Sequence, residues 1–209
     1  MVLVGIDYSI TSPAITMFDG SHYNFISLFD VDVKDWLNSK KFSVHKEIRD
    51  FVPIYPFSRS TDKSSYQTEQ RSKLLNAEKL ATLVTHTVRF ACGYGEVRIA
   101  LEGFSYASKG MASLDLVSCQ SVLRLRLMEE FGADNLFVFS PTEAKKLAGK
   151  GNYSKEQMVS AFAENVLDDE ILAAHPFHRY VVENGFKGKP VDDIVDSYFL
   201  LKLLENERR

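Results

Sequence analysis

Val2-Leu3-Val4-Gly5-Ile6-Asp7 is a short β-branched apolar run, broken by Gly5, that stops at an aspartate. A run of this length bounded by a polar residue reads as a buried strand ending at Asp7, too short for a helix. Ala14 to Phe18 and Tyr23 to Leu28, separated by Asp19-Gly20, read as a hairpin that follows it. Further along, Val97 to Leu101 repeats the pattern of the first strand and terminates at Glu102-Gly103, and Leu136 to Phe139 is a third short strand. Helical patterns lie between them. Leu74, Leu75, Leu80, Ala81, Val84 and Val88 form an apolar stripe at three-to-four spacing that Gly93 and Gly95 end. Leu114 to Phe131 is apolar on much of its circumference, and Gly132 closes it. Ser140-Pro141-Thr142-Glu143 opens a helix with a serine cap, proline at the first position and glutamate three residues after the cap; Ser154 to Gln157 repeats that logic. A final helix runs from about Asp192 to Glu205. Strands alternating with helices after an initial hairpin predict an α/β fold, a mixed β-sheet flanked by helices.

The composition agrees. The chain has 209 residues, 45% hydrophobic and 25% charged, which excludes wholesale disorder and suffices for a sizeable core. Residues 1–209 read as one domain, with an insertion at about 29–65 where the patterning degrades. In that stretch Trp36 and Leu37 suggest a short helix, Phe51 to Phe57 with its two prolines an edge strand or extended loop, and Ser58 to Ser65 a polar loop. Cys92 and Cys119 lie in apolar segments, as expected in a reducing compartment. No apolar run reaches membrane-spanning length, and the start lacks a basic targeting segment, so a cytoplasmic protein without a membrane partner is expected. With 25 basic and 28 acidic residues, the net charge of −3 does not announce a nucleic-acid binder.

Chemistry concentrates at a few carboxylates. Asp7 and Glu102 each end a strand, and Asp193 and Asp196 lie one helical turn apart near the start of the last helix. Carboxylates on rigid element ends suit metal ligation, and hard oxygen donors select Mg²⁺ or Mn²⁺. Asp192 and Asp193 are also what capping and the helix dipole favour in a first turn. Asp196, among Ile194, Val195, Tyr198 and Phe199, needs a partner if it is buried. Asp192 and Asp196, four apart, are an alternative pair. A second constellation is basic: Pro141 to Lys155 holds Lys145, Lys146, Lys150 and Lys155 against Glu143, with Gly149-Lys150-Gly151 able to approach a phosphate closely. Lys155 follows the cap Ser154, where the helix dipole disfavours a cation, so an anionic ligand would explain it; a solvated lysine loop is the plainer reading.

Four ordered blocks, 2–7, 97–110, 140–158 and 192–204, resemble the RuvC-type Holliday junction resolvases of the RNase H-like nuclease superfamily. The resemblance rests on the strand ending in Asp7, the strand ending in Glu102, the run Pro141, Lys145, Gly149, Gly151, Lys155, and the terminal pair Asp193 and Asp196. It implies an RNase H-like fold and a Mg²⁺-dependent endonuclease of DNA recombination and repair, with Mn²⁺ as substitute. Two ions per active site would be held by Asp7, Glu102, Asp193 and Asp196. It further implies that Lys155 lies near the scissile phosphate, that Lys145 contacts DNA, and that the products are 5′-phosphate and 3′-hydroxyl ends. The substrate would be four-way junction or branched DNA, cut by a homodimer through paired symmetric nicks. Lys146, Lys150 and Lys109 would join the DNA-binding set, with Tyr106 able to stack on a base. The helix Leu114 to Phe131 is the candidate dimer interface, and Arg124 and Arg126 are expected to meet solvent or DNA. The extra residues at 29–65 and 175–189 point to a viral or phage branch.

Other readings stay open. A flap or RNA–DNA hybrid nuclease of the same superfamily would share the carboxylates, and a non-catalytic junction scaffold would share the fold. An actin-like ATPase is suggested by Gly5-Ile6-Asp7 followed by Ser9 and Thr11. His175 and His178 have ligand-like spacing, but no cysteine or third histidine accompanies them.

Overall fold

The computed structural model of the protein describes residues 1–31, 40–104, 111–164 and 169–207. Six strands form one mixed sheet: β1 (Val2–Asp7), β2 (Ala14–Phe18), β3 (Tyr23–Asp30), β4 (Ile54–Phe57), β5 (Val97–Glu102) and β6 (Leu136–Phe139), in the order β4-β3-β2-β1-β5-β6. β1, β2 and β3 are joined antiparallel, while β5 runs parallel to β1, β6 to β5 and β4 to β3. Pro56 falls in β4, at the sheet's edge, where a missing backbone donor does least damage.

The helices are α1 (Ser43–Ile48), α2 (Tyr66–Cys92), α3 (Met111–Phe131), α4 (Pro141–Ala148), α5 (Lys155–Glu164), α6 (Glu170–Ala174), α7 (Pro176–Asn184) and α8 (Val191–Asn206). They divide between the two faces of the sheet. Alternation along β1 feeds both: Leu3 joins a core with Phe162, Phe177 and Phe199 from the α5, α7 and α8 side, while Val4 and Ile6 join one with Leu80, Val84, Leu123 and Leu127 from α2 and α3. Residues such as Ile6, Leu123, Phe162 and Phe199 are almost wholly buried, each contributing roughly 1.5–3 kcal/mol of hydrophobic stabilisation.

α8 is the central element of its layer, with Ile194, Val195, Tyr198, Leu200, Leu201 and Leu204 all buried. It crosses β1 at Gly5, where a Cβ would stand 2.0 Å from the Ser197 carbonyl oxygen and 2.6 Å from the Leu201 nitrogen. Glycine is therefore required there to let helix and strand touch backbone to backbone. A buried polar pair fixes the same crossing on β2: the hydroxyls of Thr16 and Ser197 are 2.6 Å apart, and Ser197 donates to the Ile194 carbonyl at 2.7 Å.

Several expectations are extended. α2 begins at Tyr66 rather than Leu74, with Ser65 and Thr68 forming a reciprocal cap. Its first turns carry no apolar stripe because little is packed on them. α1, α6 and α7 lie in stretches the sequence pattern left unassigned. Trp36 and Leu37 lie outside the described residues. Among the described residues, no helix is long and apolar enough to cross a membrane.

Candidate active site

β1 and β5 are parallel neighbours with Ile6 opposite Leu101, so Asp7 and Glu102 leave adjacent strands at the same sheet end. The contact at Gly5 brings the first turns of α8 to that end, and with them Asp192, Asp193 and Asp196. The structure thus gathers Asp7, Glu102, Asp193 and Asp196, from three elements distant in sequence, into one electrostatic cluster. The Asp7 carboxyl is pushed well above the usual carboxylate range by burial first, then by the charges of Asp193, Asp196 and Glu102. Burial raises Glu102 as well, against the pull of Lys145 and Lys155. Asp193 is raised by burial and by Asp192, against Lys189, a hydrogen bond from Ser12 and Lys155. Burial lifts Asp196 to about 7, with Lys155 opposing and Glu102, Asp192 and Asp193 adding to the rise. Neighbouring carboxylates that resist ionising together are a place where a cation is favourable.

Lys155 is the cation shared by the cluster. Its ammonium donates to Asp192 and lies 3.7 Å from Asp193 Oδ1. Burial pulls its pKa down, but the Asp192 bond and the surrounding carboxylates outweigh that and raise it. Lys189 reaches Asp193 Oδ2 at 3.1 Å, and Ser12 donates to the same oxygen at 2.6 Å.

The donor chemistry, all carboxylate oxygen, fits a hard divalent cation. The buried Asp192 Oδ1 has no hydrogen-bond partner, a further sign that this pocket holds more negative charge than its own groups satisfy. Among the described residues, however, no three acidic, histidine or cysteine side chains are grouped as a ready metal cage. Lys155, Lys189 and Ser12 already engage the oxygens of Asp192 and Asp193.

The basic segment is only partly gathered here. Lys145 is half-buried on α4 and acts on Glu102, whereas Lys146 and Lys150 are exposed. Gly149, at φ 157°, lies where a Cβ would meet the Tyr153 hydroxyl at 2.3 Å, so packing already accounts for that glycine. Lys109 and Tyr106 lie outside the described residues. Arg124 is half-buried, donating to the Glu102 carbonyl at 3.4 Å and covering the Phe104 ring at 4.2 Å. Its guanidinium, like the Gln120 amide at 3.2 Å, secures the end of β5. Arg126 does remain exposed, paired with Glu78 and Glu129.

The sequence reading missed Ser12 and the role of Asp192. The signal for Ser12 was the polar Ser9 to Ser12 turn after β1: Ser9 Oγ accepts from the Ser12 amide at 2.8 Å and shapes the turn that presents Ser12 to Asp193. His175 and His178 serve the core instead of a metal group. His175 Nδ1 accepts from the Phe177 amide at 3.1 Å, capping α7, and the two rings pack on Phe25 and Phe162.

A mixed sheet in this strand order, with acids at the ends of the parallel neighbours β1 and β5 and on the helix that crosses β1, is an RNase H-like α/β fold. Solved structures place it more closely. Over its whole length the chain superposes on Thermus thermophilus RuvC with a TM-score of 0.55 at 12% identity, covering 96% of that chain. It likewise matches T. thermophilus RuvC in complex with a Holliday junction substrate, with a TM-score of 0.52 at 14% identity and 95% of that chain covered. The yeast mitochondrial Holliday junction resolvase Ydc2 gives a TM-score of 0.48 at 15% identity, over 95% of this chain and 75% of that one. No protein-family model and no curated protein sequence matches the chain. The fold is that of the RuvC-type resolvases.

Proposed function

We propose that the protein is a divalent-metal-dependent endonuclease that resolves four-way junctions and related branched DNA. The observation that carries this reading is the convergence of Asp7, Glu102, Asp193 and Asp196, with Lys155 among them, at one sheet end of a RuvC-type fold. Two Mg²⁺ ions, or Mn²⁺ in their place, held by those four carboxylates would supply an acidified water and positive charge at the scissile phosphate. The chain's own residues do the rest. Asp7 and Glu102 hold their carboxylates on strand ends whose backbone is fixed by the sheet. Ser12 orients Asp193, and Lys155 offers an ammonium to a phosphate oxygen as charge develops there. Lys145, Lys146 and Lys150 would bind the DNA backbone, and the sequence resemblance adds Lys109 to that set and Tyr106 as a base-stacking residue.

The chain acts in this reading as one nuclease domain in the cytoplasm, with 29–65 as an insertion. Two copies would pair through α3, whose outer stripe Leu114, Val117, Leu125 and Met128 is uncovered, Leu114 being 60% and Leu125 56% exposed. Two sites related by a two-fold axis would produce symmetric nicks leaving 5′-phosphate and 3′-hydroxyl ends. The test is cleavage of a labelled four-way junction with Mg²⁺ or Mn²⁺, beside duplex, flap and RNA–DNA hybrid controls. Paired nicks by the wild type, reduced at least about 100-fold in Asp7→Asn with junction binding retained, are expected. Cutting of flaps or hybrids alone would move the substrate, junction binding without cleavage would favour a scaffold, and absence of both binding and cleavage would overturn the nuclease reading.

A further inference from the structure

Asp192 lies one residue before the Asp193–Asp196 pair, in the first turn of the same helix. Its side chain is 5% exposed, and an ionised carboxylate so placed is costly without a partner. Its partner is Lys155, whose ammonium donates to Asp192 Oδ2 while Oδ1 is left without a hydrogen bond. Lys155 comes from another element, the first residue of α5, and its side chain is 51% exposed. A lysine at a helix start has a flexible stem and an unfavourable dipole. Left alone it would sample solvent. Held by Asp192, its ammonium stays within electrostatic reach of Asp7, Glu102, Asp193 and Asp196, all four of which it pulls down. The same ammonium lies 3.7 Å from Asp193 Oδ1, so the bond to Asp192 holds it at the edge of the acidic cluster.

We infer that Asp192 is a positioning residue, not a member of the metal-ligand set: it clamps Lys155 over the four carboxylates and so presents the ammonium where a phosphate oxygen would arrive. The clamp deepens the proposed nuclease function and rests on it for its catalytic consequence, but not for its structural one. A charge-assisted bond from an ammonium to a buried carboxylate is short and strong, and it removes rotamer freedom from Lys155 before substrate binds.

The test compares the wild type, Asp192→Asn, Lys155→Met and the double variant as full-length protein. Asparagine keeps the volume of Asp192, and Lys155→Met approaches the same bond from its other end. In the metal-free protein, ¹H–¹⁵N spectra selective for lysine ammonium groups should show a protected Lys155 signal that Asp192→Asn abolishes. Melting should report the same coupling: Lys155→Met strands a buried carboxylate and lowers the melting temperature, and adding Asp192→Asn restores much of the loss. Titration with Mn²⁺ should give an affinity within about three-fold of wild type for Asp192→Asn. Junction cleavage should lose about ten-fold or more in kcat with KM within about three-fold, and the double variant should be no slower than Lys155→Met. A ten-fold or greater loss of Mn²⁺ affinity would make Asp192 a ligand and overturn the inference. So would additive losses in the double variant, or a Lys155 signal indifferent to Asp192. A wild type that cleaves nothing, with the spectra and melting as described, would defeat the nuclease reading and leave the clamp standing.

Discussion

Gly5 and Ser12 show how much of the acidic cluster depends on residues that carry no charge. Gly5 has no chemistry, yet any side chain there would collide with the backbone of α8 at Ser197 and Leu201. Gly5→Ala should therefore cost at least about 3 kcal/mol, since backbone on both sides must move, and a denaturant or thermal melt will register it. The same displacement carries Asp193 and Asp196 away from Asp7, so activity should fall even at temperatures where the variant is folded. Ser12→Ala is milder: it removes the 2.6 Å hydrogen bond to Asp193 Oδ2, with an expected cost of about 1–2 kcal/mol and a loss of about ten-fold in junction cleavage rate. Neither residue was legible as a site component. A glycine in a strand and a serine in a turn have ordinary local explanations, and only the tertiary crossing of α8 over β1 gives them theirs. Asp7 and Glu102 could be singled out from sequence because an acid that ends an apolar strand breaks a strong local pattern.

At the level of elements, the readable parts were those whose burial is one-sided. The alternation of β1 and the stripe of α2 from Leu80 onward follow directly from which face meets the sheet, whereas Leu74 and Leu75, read as part of that stripe, are exposed. α7 was not legible because Pro176 and the two histidines look like loop chemistry. In the structure proline occupies the first helical position, and His175 is the cap that accepts from the Phe177 amide. This cap carries a pH dependence. Burial, then the neighbouring His178, lowers the His175 pKa from its usual value to about 4. Since the unfolded chain takes up this proton at a higher pH than the folded one, the neutral cap's contribution is complete above about pH 6.5 and is lost as the pH falls through 4. Allowing for partial solvent screening, the loss should amount to about 1–2 kcal/mol, visible as a drop in melting temperature between pH 7 and pH 4. His175→Asn, which keeps an acceptor but does not titrate in this range, should flatten that slope.

Among the described residues, a stripe on α3 has no partner in the fold. Along α3, Leu114, Val117, Leu125 and Met128, with Ser121 between them, share the side away from Leu123 and Leu127, which are buried against the sheet. If this stripe pairs two copies, Leu125→Glu should convert a dimer to a monomer in sedimentation experiments. It should also replace paired nicks with single, uncoupled ones while leaving the melting temperature within a few degrees, because Leu125 contributes little to its own core. The sequence indicated the excess of apolar residues on this helix but not which of them faced outward, since a helix apolar on several sides does not declare its buried face.

The acids are also far apart in the order in which the chain is made. Asp7 and Glu102 leave the ribosome before Asp193 and Asp196, which arrive with α8, and that helix must then seat itself on a strand made long before it. The cluster is thus complete only once α8 has been made and has docked. A polypeptide interrupted before residue 193 carries Asp7 and Glu102 but neither acid of the final pair, and by the proposed chemistry it is inert. On the proposed nuclease reading, no partial product of translation that lacks α8 carries a complete site.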